Sequence, residues 1–114
     1  MSSLPNYLRS KRKAISLSQE EVAFLLGMKG MERGNKVSRD ENYSRIPTLE
    51  TALAYEAIYG KPIRELFAGL YEQIAQEVSS RAKILSYKTS GTPDLKRHKA
   101  LSDLALRYSK SALN

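Results

Sequence analysis

Residues 16–27 read SLSQEEVAFLLG, and this stretch marks both ends of a helix clearly. Ser18 suits the N-cap position, and Glu21, three residues later, completes a capping box that satisfies two free amides at a helix start. Gly27 suits the other end, where a left-handed residue closes the last turn. The apolar side chains at helical spacing are Val22, Leu25 and Leu26. The stretch therefore predicts a short amphipathic helix, the second in the chain.

The residues before this stretch predict a first helix. Ser3 can cap it, and Pro5 suits its first turn, where no amide donor is needed. The apolar residues that would share one face are Leu4, Tyr7, Leu8 and Ile15. We therefore expect the first helix to run from Ser3 to about Ile15.

The third helix has two candidate ends within residues 27–51, GMKGMERGNKVSRDENYSRIPTLET. An end at ERG, residues 32–34, would leave a helix of about five residues with a glycine inside it, followed by about thirteen residues of loop. Both features are unfavourable. An end at RDEN, residues 39–42, instead gives a helix from about Asn35 to Asn42 after a long glycine-rich turn. We predict the second alternative.

The remaining segments also show helical spacing. Residues 47–60, PTLETALAYEAIYG, predict a helix with Thr48 as its cap and Gly60 as its stop. Residues 61–87 open with Pro62 in the first turn and predict one continuous helix of about 25 residues, roughly 37 Å long. Its apolar residues are Ile63, Phe67, Leu70, Ile74, Val78, Ala82 and Leu85.

A break at residues 88–92, KTSGT, separates a last helix that would start at Thr92-Pro93-Asp94. Its apolar side would hold Leu101, Leu104, Ala105, Tyr108 and Ala112. No segment alternates with the period of two that a strand requires. The sequence therefore predicts an all-α chain with an N-terminal domain over residues 1–68 and a helical C-terminal extension over residues 69–114.

Several segments resemble the phage repressor/Cro-type helix-turn-helix domain of the Xre family of bacterial regulators. LRSKRKAISLSQEEVAFLLG resembles its first two helices, VSRDENYSRIPTLETALA its third and fourth, and GKPIRELF its fifth. The resemblance covers about residues 4–68. It implies a five-helix lambda-repressor-like helix-turn-helix domain, here with an extended fifth helix and an additional C-terminal helix.

Three features depart from the family pattern. The turn between the second and third helices is longer than usual. Asp40 stands where the family has a large apolar or aromatic residue. Tyr43 replaces the glycine that ends the third helix, so Asn42 is a candidate for the left-handed residue one position earlier.

The resemblance implies that the third helix lies in the major groove of DNA. The residues that it assigns to base contacts are Asn35, Lys36, Ser38 and Arg39. Arginine and lysine can bind guanine O6 and N7, and asparagine can pair with adenine, so the side-chain chemistry agrees. The alternative is a solvated surface helix that reads nothing.

A second group of residues is implied to contact the DNA backbone: Arg9, Gln19, Lys29, Arg33, Ser44 and Arg45. Gln19 could equally serve ordinary helix capping, and the two cations of the long turn could simply be solvated. We expect Arg12 to pair with Glu20 or Glu21 of the second helix. Glu41 is expected to be an internal partner.

The extension carries an apolar stripe of Leu70, Tyr71, Ile74, Val78 and Leu85 that a compact five-helix core would leave uncovered. We expect it to form a homodimer interface, which would place two domains on half-sites about one DNA turn apart. The alternatives are a last helix that folds back over it or a protein partner bound by residues 69–114. Lys96, Arg97 and Lys99 are either phosphate contacts or a solvated face.

The net charge of +7 is unevenly distributed. Residues 1–17 hold four basic side chains and no acidic one, residues 46–79 have a net charge of −3, and residues 80–114 have a net charge of +6. Basic ends on both sides of an acidic middle favour a polyanionic partner. Solubility alone is the competing explanation.

Cysteine is absent and His98 is the single histidine. With no glycine-rich phosphate loop and no metal-ligand cluster, the sequence indicates neither an enzyme nor a cofactor. No apolar run approaches the roughly 18 residues of a membrane span. We therefore expect a cytoplasmic, nucleoid-associated protein with no membrane partner.

The leading function is a sequence-specific, double-stranded DNA-binding transcriptional regulator of bacterial or phage type, acting as a homodimeric repressor or activator. The alternative is an antitoxin-like interaction module, with a helix-turn-helix joined to a partner-binding C-terminal segment.

Overall fold

The computed structural model describes residues 3–88 and 94–108, and all regular structure in these ranges is helical. The seven helices in the described residues are α1 (Leu8–Ala14), α2 (Gln19–Leu25), α3 (Arg33–Glu41), α4 (Leu49–Tyr59), α5 (Ile63–Leu66), α6 (Ala68–Lys88) and α7 (Leu95–Arg107). The predicted all-α class is confirmed. None of these helices is long and apolar enough to cross a membrane. The chain divides into two compact units, Met1–Leu70 and Tyr71–Asn114.

The core of the first unit is built from all five of its short helices and the Phe67 junction. Its buried members are Leu8, Val22, Ala23, Val37, Ala52, Tyr55, Leu66 and Phe67. Burial of one large apolar side chain stabilises a fold by roughly 1.5–3 kcal/mol, so these residues hold the helices together. The aromatic rings of Tyr55 and Phe67 meet edge to face, with centroids 6.4 Å apart.

Helix α2 begins and ends as the sequence predicts. The backbone amide of Glu21 donates to Ser18 Oγ at 3.0 Å, and the Ser18 amide donates to Glu21 Oε1 at 2.8 Å. The bond from the Ser18 amide, and after it the interaction of the Ser18 side chain with the carboxylate, lower the pKa of the Glu21 carboxyl. Gly27 takes the left-handed conformation just beyond the helix, with φ of 79°. The predicted apolar stripe needs one correction, because Ala23 is buried while Leu25 is 54% exposed.

The first helix begins at Leu8, and the prediction of a start at Ser3 is wrong. Buried Asn6 uses its side chain in place of helical bonds: its Oδ1 accepts from the Leu8 amide at 3.1 Å, and its Nδ2 donates to the Asp40 carbonyl at 2.9 Å. The Tyr7 amide donates to the Leu66 carbonyl at 2.7 Å. Contacts with distant parts of the chain therefore hold residues 3–7 out of the helix.

The third helix ends at RDEN as predicted, with Glu41 as its last residue and Asn42 as its C-cap. It begins at Arg33, two residues before the predicted start, so Arg33 and Gly34 belong to the helix and not to the turn. The left-handed residue is Tyr43, with φ of 70°, and not Asn42, whose φ is −96°. The Ser44 amide closes the helix end by donating to the Arg39 carbonyl at 2.9 Å.

Helix α4 has the predicted ends. The Thr51 amide donates to Thr48 Oγ1 at 3.2 Å, and Gly60 closes the helix with φ of 67°.

The predicted continuous helix after Pro62 is wrong, because the backbone breaks at Phe67 into α5 and α6. At the break, the Gly69 amide donates to the Leu4 carbonyl at 2.8 Å, and the Leu70 amide donates to the Pro5 carbonyl at 3.3 Å. A Cβ on Gly69 would collide with the Leu4 carbonyl. The N-terminal segment thus takes the amides that a continuous helix would use internally.

The second unit contains α6 from Tyr71 onward and α7. The buried residues of α6 are all small: Ala75, Ser79 and Ala82. Ser79 Oγ donates to the Ala105 carbonyl at 2.5 Å, so α7 lies against α6 within this unit. Helix α7 is capped by Asp94, whose Oδ1 accepts from the Arg97 amide at 3.0 Å. The predicted break at residues 88–92 starts one residue too early, because Lys88 is the last residue of α6. The rest of that break, the predicted start at Thr92-Pro93 and Ala112 lie outside the described residues.

Candidate nucleic-acid interface

Helix α3 has two opposite faces. Val37, Asp40 and Glu41 are buried, whereas Asn35, Lys36 and Arg39 are exposed and Ser38 is half-buried. Successive helical residues are rotated by about 100°, which places the buried three around one side and the other four around the opposite side. The four residues predicted to contact bases therefore lie together on the outward surface of α3, which we call the α3 outer face.

The inward side of α3 is anchored by Glu41. Arg12 Nε donates to Glu41 Oε2 at 2.7 Å and Arg12 Nη2 donates to Oε1 at 3.1 Å. Gln19 Nε2 also donates to Oε1, at 3.1 Å. The expectation that Glu41 is an internal partner is confirmed, and the expected pairing of Arg12 with Glu20 or Glu21 is wrong. The side-chain hydrogen bonds to Glu41 raise the pKa of Arg12, so the guanidinium stays charged.

Asp40 makes a second buried anchor beside the first. Arg45 Nε donates to Asp40 Oδ1 at 2.6 Å and Arg45 Nη2 donates to Oδ2 at 2.9 Å. Tyr55 Oη on α4 donates to Oδ2 at 2.7 Å. The Asp40 side chain is fully buried. A carboxylate is tolerated at this apolar position because three donors compensate for its lost hydration.

The sequence did not predict the hydrogen bonds of Asp40, although Asp40 departs from the family pattern at this position. Burial, and then the bond to Asp40, raise the pKa of Tyr55. The bonds to Asp40 also raise the pKa of Arg45. A tyrosine fifteen positions after the unexpected aspartate was the available signal. Nothing in the sequence distinguished that tyrosine from an ordinary core aromatic residue.

The residues predicted to contact the DNA backbone fall into two groups. Arg9, Lys29 and Ser44 are exposed. Gln19, Arg33 and Arg45 already hold internal partners, and Arg33 lies in α3 and not on the turn where it was expected. Arg33 Nε lies 2.5 Å from Glu20 Oε1, and its guanidinium lies 5.3 Å from the centre of the Phe24 ring.

A groove of about 870 Å³ borders the C-terminal half of α3. It brings together Arg9, Gln19 and Ser38 from the two predicted sets, with Lys13 and Asn42 also in its wall. The other seven predicted residues do not line it: Asn35, Lys36, Arg39, Lys29, Arg33, Ser44 and Arg45. Helix α1 thus contributes the basic side chains of Arg9 and Lys13 to a groove that meets the α3 outer face at Ser38.

The residues of the extension that were predicted to form an interface lie in three different environments. Leu70 packs against the core of the first unit. Tyr71 lies in the second unit, where its hydroxyl donates to Tyr108 Oη at 3.2 Å. Ile74, Val78 and Leu85 are 50%, 40% and 42% exposed on α6. The contact of α7 with α6 therefore leaves much of this apolar surface accessible.

In residues 3–88 and 94–108, no three histidine, cysteine or acidic side chains are grouped closely enough to hold a metal ion. No protein-family model matches the chain, and no curated protein or solved structure similar to it was found.

Proposed function

We propose that this chain is a sequence-specific, double-stranded DNA-binding transcriptional regulator in which α2 and α3 form a helix-turn-helix. The observation that carries the proposal is the division of α3 into an outer face of Asn35, Lys36, Ser38 and Arg39 and an inward side held by Asp40 and Glu41. A recognition helix needs exposed hydrogen-bonding side chains on a rigidly held backbone.

The chemistry of the outer face suits base edges in the major groove. The Arg39 and Lys36 side chains can donate to guanine O6 and N7, and the Asn35 amide can pair with adenine. Arg39 is exposed, and none of the described ion pairs involves it. It is therefore the strongest candidate for direct base recognition.

The surrounding basic groups suit the phosphate backbone. Arg9 and Lys29 are exposed near opposite ends of the α2–α3 pair, and Ser44 follows α3 directly. Each phosphate neutralised by such a group releases counterions, so affinity for DNA should fall steeply with salt.

The regulator acts as a homodimer through the exposed α6 residues Ile74, Val78 and Leu85. Support comes from the second unit, where α6 buries only Ala75, Ser79 and Ala82 among its described residues. A helical pair with so small a core gains stability by burying its larger apolar side chains against another chain. Two half-sites about one DNA turn apart would be the corresponding operator.

A second candidate function is a protein-interaction module whose partner binds residues 69–114. The observation that favours it is the same exposed surface on α6, together with Leu106 of α7, which is 67% exposed. Such a surface fits a foreign helix as well as a second copy.

Binding-site selection from a random duplex pool tests the proposal. Wild type should enrich an inverted repeat, and Arg39→Ala should lose its preference at one base position in each half-site, at a cost of roughly 1–3 kcal/mol. Lys61→Ala is the control for loss of a surface cation, since Lys61 is exposed between α4 and α5 and belongs neither to the α3 outer face nor to the proposed dimer surface of α6. No enrichment by folded wild-type protein would reject the DNA-binding function and favour the interaction module.

A further inference from the structure

Arg45 uses only part of its hydrogen-bonding capacity on the buried Asp40 carboxylate, and the rest is available for another partner. A guanidinium has five N–H groups, and Asp40 accepts from the Nε and Nη2 atoms of Arg45 at 2.6 and 2.9 Å. The Arg45 side chain is 34% exposed, whereas the Asp40 side chain is fully buried. One edge of the guanidinium therefore faces inward, and its remaining donors are accessible from solvent.

The backbone around Arg45 is fixed to the end of α3. The amides of Ser44 and Arg45 donate to the Arg39 carbonyl at 2.9 and 3.3 Å. The guanidinium is therefore held at both ends, by its own backbone amide and by Asp40. A long side chain that is already ordered loses less conformational entropy when it binds a ligand.

Tyr55 holds the carboxylate from the opposite side. Its hydroxyl donates to Asp40 Oδ2 at 2.7 Å, and its ring is completely buried in the core, where it stacks on Tyr59 at a centroid distance of 6.0 Å. Because Tyr55 belongs to α4, this bond ties the orientation of Asp40 to a different helix from its own.

We propose that Asp40 and Tyr55 are positioning residues that fix the guanidinium of Arg45 in one orientation, with its outward N–H groups available to a DNA phosphate beside the end of α3. This inference rests on the proposed DNA-binding function. It adds that Asp40 and Tyr55 increase the affinity for DNA, because they order the phosphate-binding side chain of Arg45 in the free protein.

A simpler role for the same contacts is structural, in which Asp40 neutralises Arg45 and closes the loop without any effect on DNA. The two roles differ in their dependence on Arg45. A positioning residue changes DNA affinity only when the arginine it positions is present. A residue that merely stabilises the fold changes affinity equally in both backgrounds, or not at all.

The experiment is a double-mutant cycle on binding to the selected duplex. Arg45→Ala should weaken binding to all sequences and reduce the magnitude of the salt slope by about 1. Tyr55→Phe should weaken binding by roughly two- to twelvefold, the fold-change expected when one long side chain must be ordered on binding. In the Arg45→Ala background, Tyr55→Phe should have no further effect.

Tyr59→Phe is the matched control for the loss of a hydroxyl. Among the described residues no group bonds the buried Tyr59 hydroxyl, so its removal should leave DNA affinity unchanged. Arg45→Lys is a second variant that keeps the charge and leaves the core intact. A lysine cannot reproduce the two-pronged bond to Asp40, so affinity should fall although the charge is retained.

A readout without DNA is the exchange rate of the Arg45 Nε proton in nuclear magnetic resonance spectra of the free protein. This proton should exchange slowly in wild type and in Tyr59→Phe, and faster in Tyr55→Phe. Equal exchange in all three, or equal effects of Tyr55→Phe with and without Arg45, would overturn the positioning role while leaving DNA binding intact. Absence of binding by the wild type would instead reject the proposed function, and the inference with it.

Discussion

Arg12 on α1 and Glu41 on α3 form a paired contact of 2.7 and 3.1 Å, with only 12% and 3% of their side chains exposed. The pair joins the start of the chain to the inward side of the candidate recognition helix. Because both charges are withdrawn from water, the contact stabilises the fold only while both partners are present.

Removal of one charge from this pair should be costly. Glu41→Gln leaves the Arg12 guanidinium buried without a counter-charge and should lower the free energy of unfolding by about 3 kcal/mol. Urea denaturation followed by circular dichroism measures the change. Glu20→Gln is the control, because the Glu20 side chain is 52% exposed beside Arg33 and its loss should cost under about 1 kcal/mol. Equal losses in the two variants would contradict the importance of burial.

Two tyrosines should make the fold sensitive to alkali. Burial raises the pKa of Tyr55 and Tyr59 above the ordinary value of 10.0. Both hydroxyls stay protonated in the folded state while they ionise in the unfolded chain, so their contribution to stability is complete below pH 10 and is lost as the pH rises above it.

Thermal unfolding between about pH 9 and pH 11 tests this expectation, with a decrease of up to about 1.4 kcal/mol per pH unit for each tyrosine. Tyr55→Phe should show a shallower decrease. A melting temperature that stays constant over this range would contradict the inferred direction of the pKa shifts.

Tyr43 should gain from replacement by glycine. Its φ of 70° lies in the left-handed region, which costs a residue with a Cβ about 1–2 kcal/mol, whereas glycine loses only about 0.5–1 kcal/mol of additional chain entropy. Tyr43→Gly should therefore raise the free energy of unfolding by roughly 0.5–1 kcal/mol. Asn42→Gly is the neighbouring control and should lower it, since Asn42 has a φ of −96° and accepts from the Ser44 amide.

Gly69 should resist substitution although alanine is the better helix former. Gly69→Ala places a Cβ against the Leu4 carbonyl and should destabilise the fold, despite a helical preference for alanine of about 1 kcal/mol. Gly34→Ala provides the contrast, because the added Cβ would make only an ordinary contact of 3.4 Å with Glu20 Oε2. Chemical denaturation should show that the change in the free energy of unfolding has opposite signs in the two variants.

The α6 surface should determine the oligomeric state. Val78 is 40% exposed, and Val78→Glu should convert a dimer to a monomer by placing a charge in the apolar contact. Sedimentation velocity measures the change, and Gln73→Glu introduces the same charge at an exposed position on another side of α6. A wild-type protein that is monomeric at all concentrations would remove the dimer from the proposal.

Features set by neighbouring residues could be predicted from the sequence. The capping box of Ser18 and Glu21, the cap at Thr48 and the stop at Gly60 involve contacts within one helical turn, and the structure contains all of them. The start of α3 was misplaced because Glu32, its N-cap, makes no side-chain bond to the helix and so left no recognisable signal.

Features set by distant residues could not be predicted. The break at Phe67 depends on the Leu4 carbonyl accepting from the Gly69 amide, and no local pattern announces a contact between chain segments so far apart. The outward side chains of α3 were identified, but the bonds from Arg12, Arg45 and Tyr55 that hold its inward side required the three-dimensional structure.

The adjacent carboxylates of Asp40 and Glu41 restrict rotation of α3 about its own axis. Their side chains leave the helix about 100° apart. Asp40 is bound by Arg45 and Tyr55, and Glu41 is bound by Arg12 and Gln19. A twist of the helix in either direction stretches charged bonds on both sides. The rotational orientation of α3 is therefore fixed by contacts inside the protein. Any surface that binds this helix meets the same four side chains in the same arrangement.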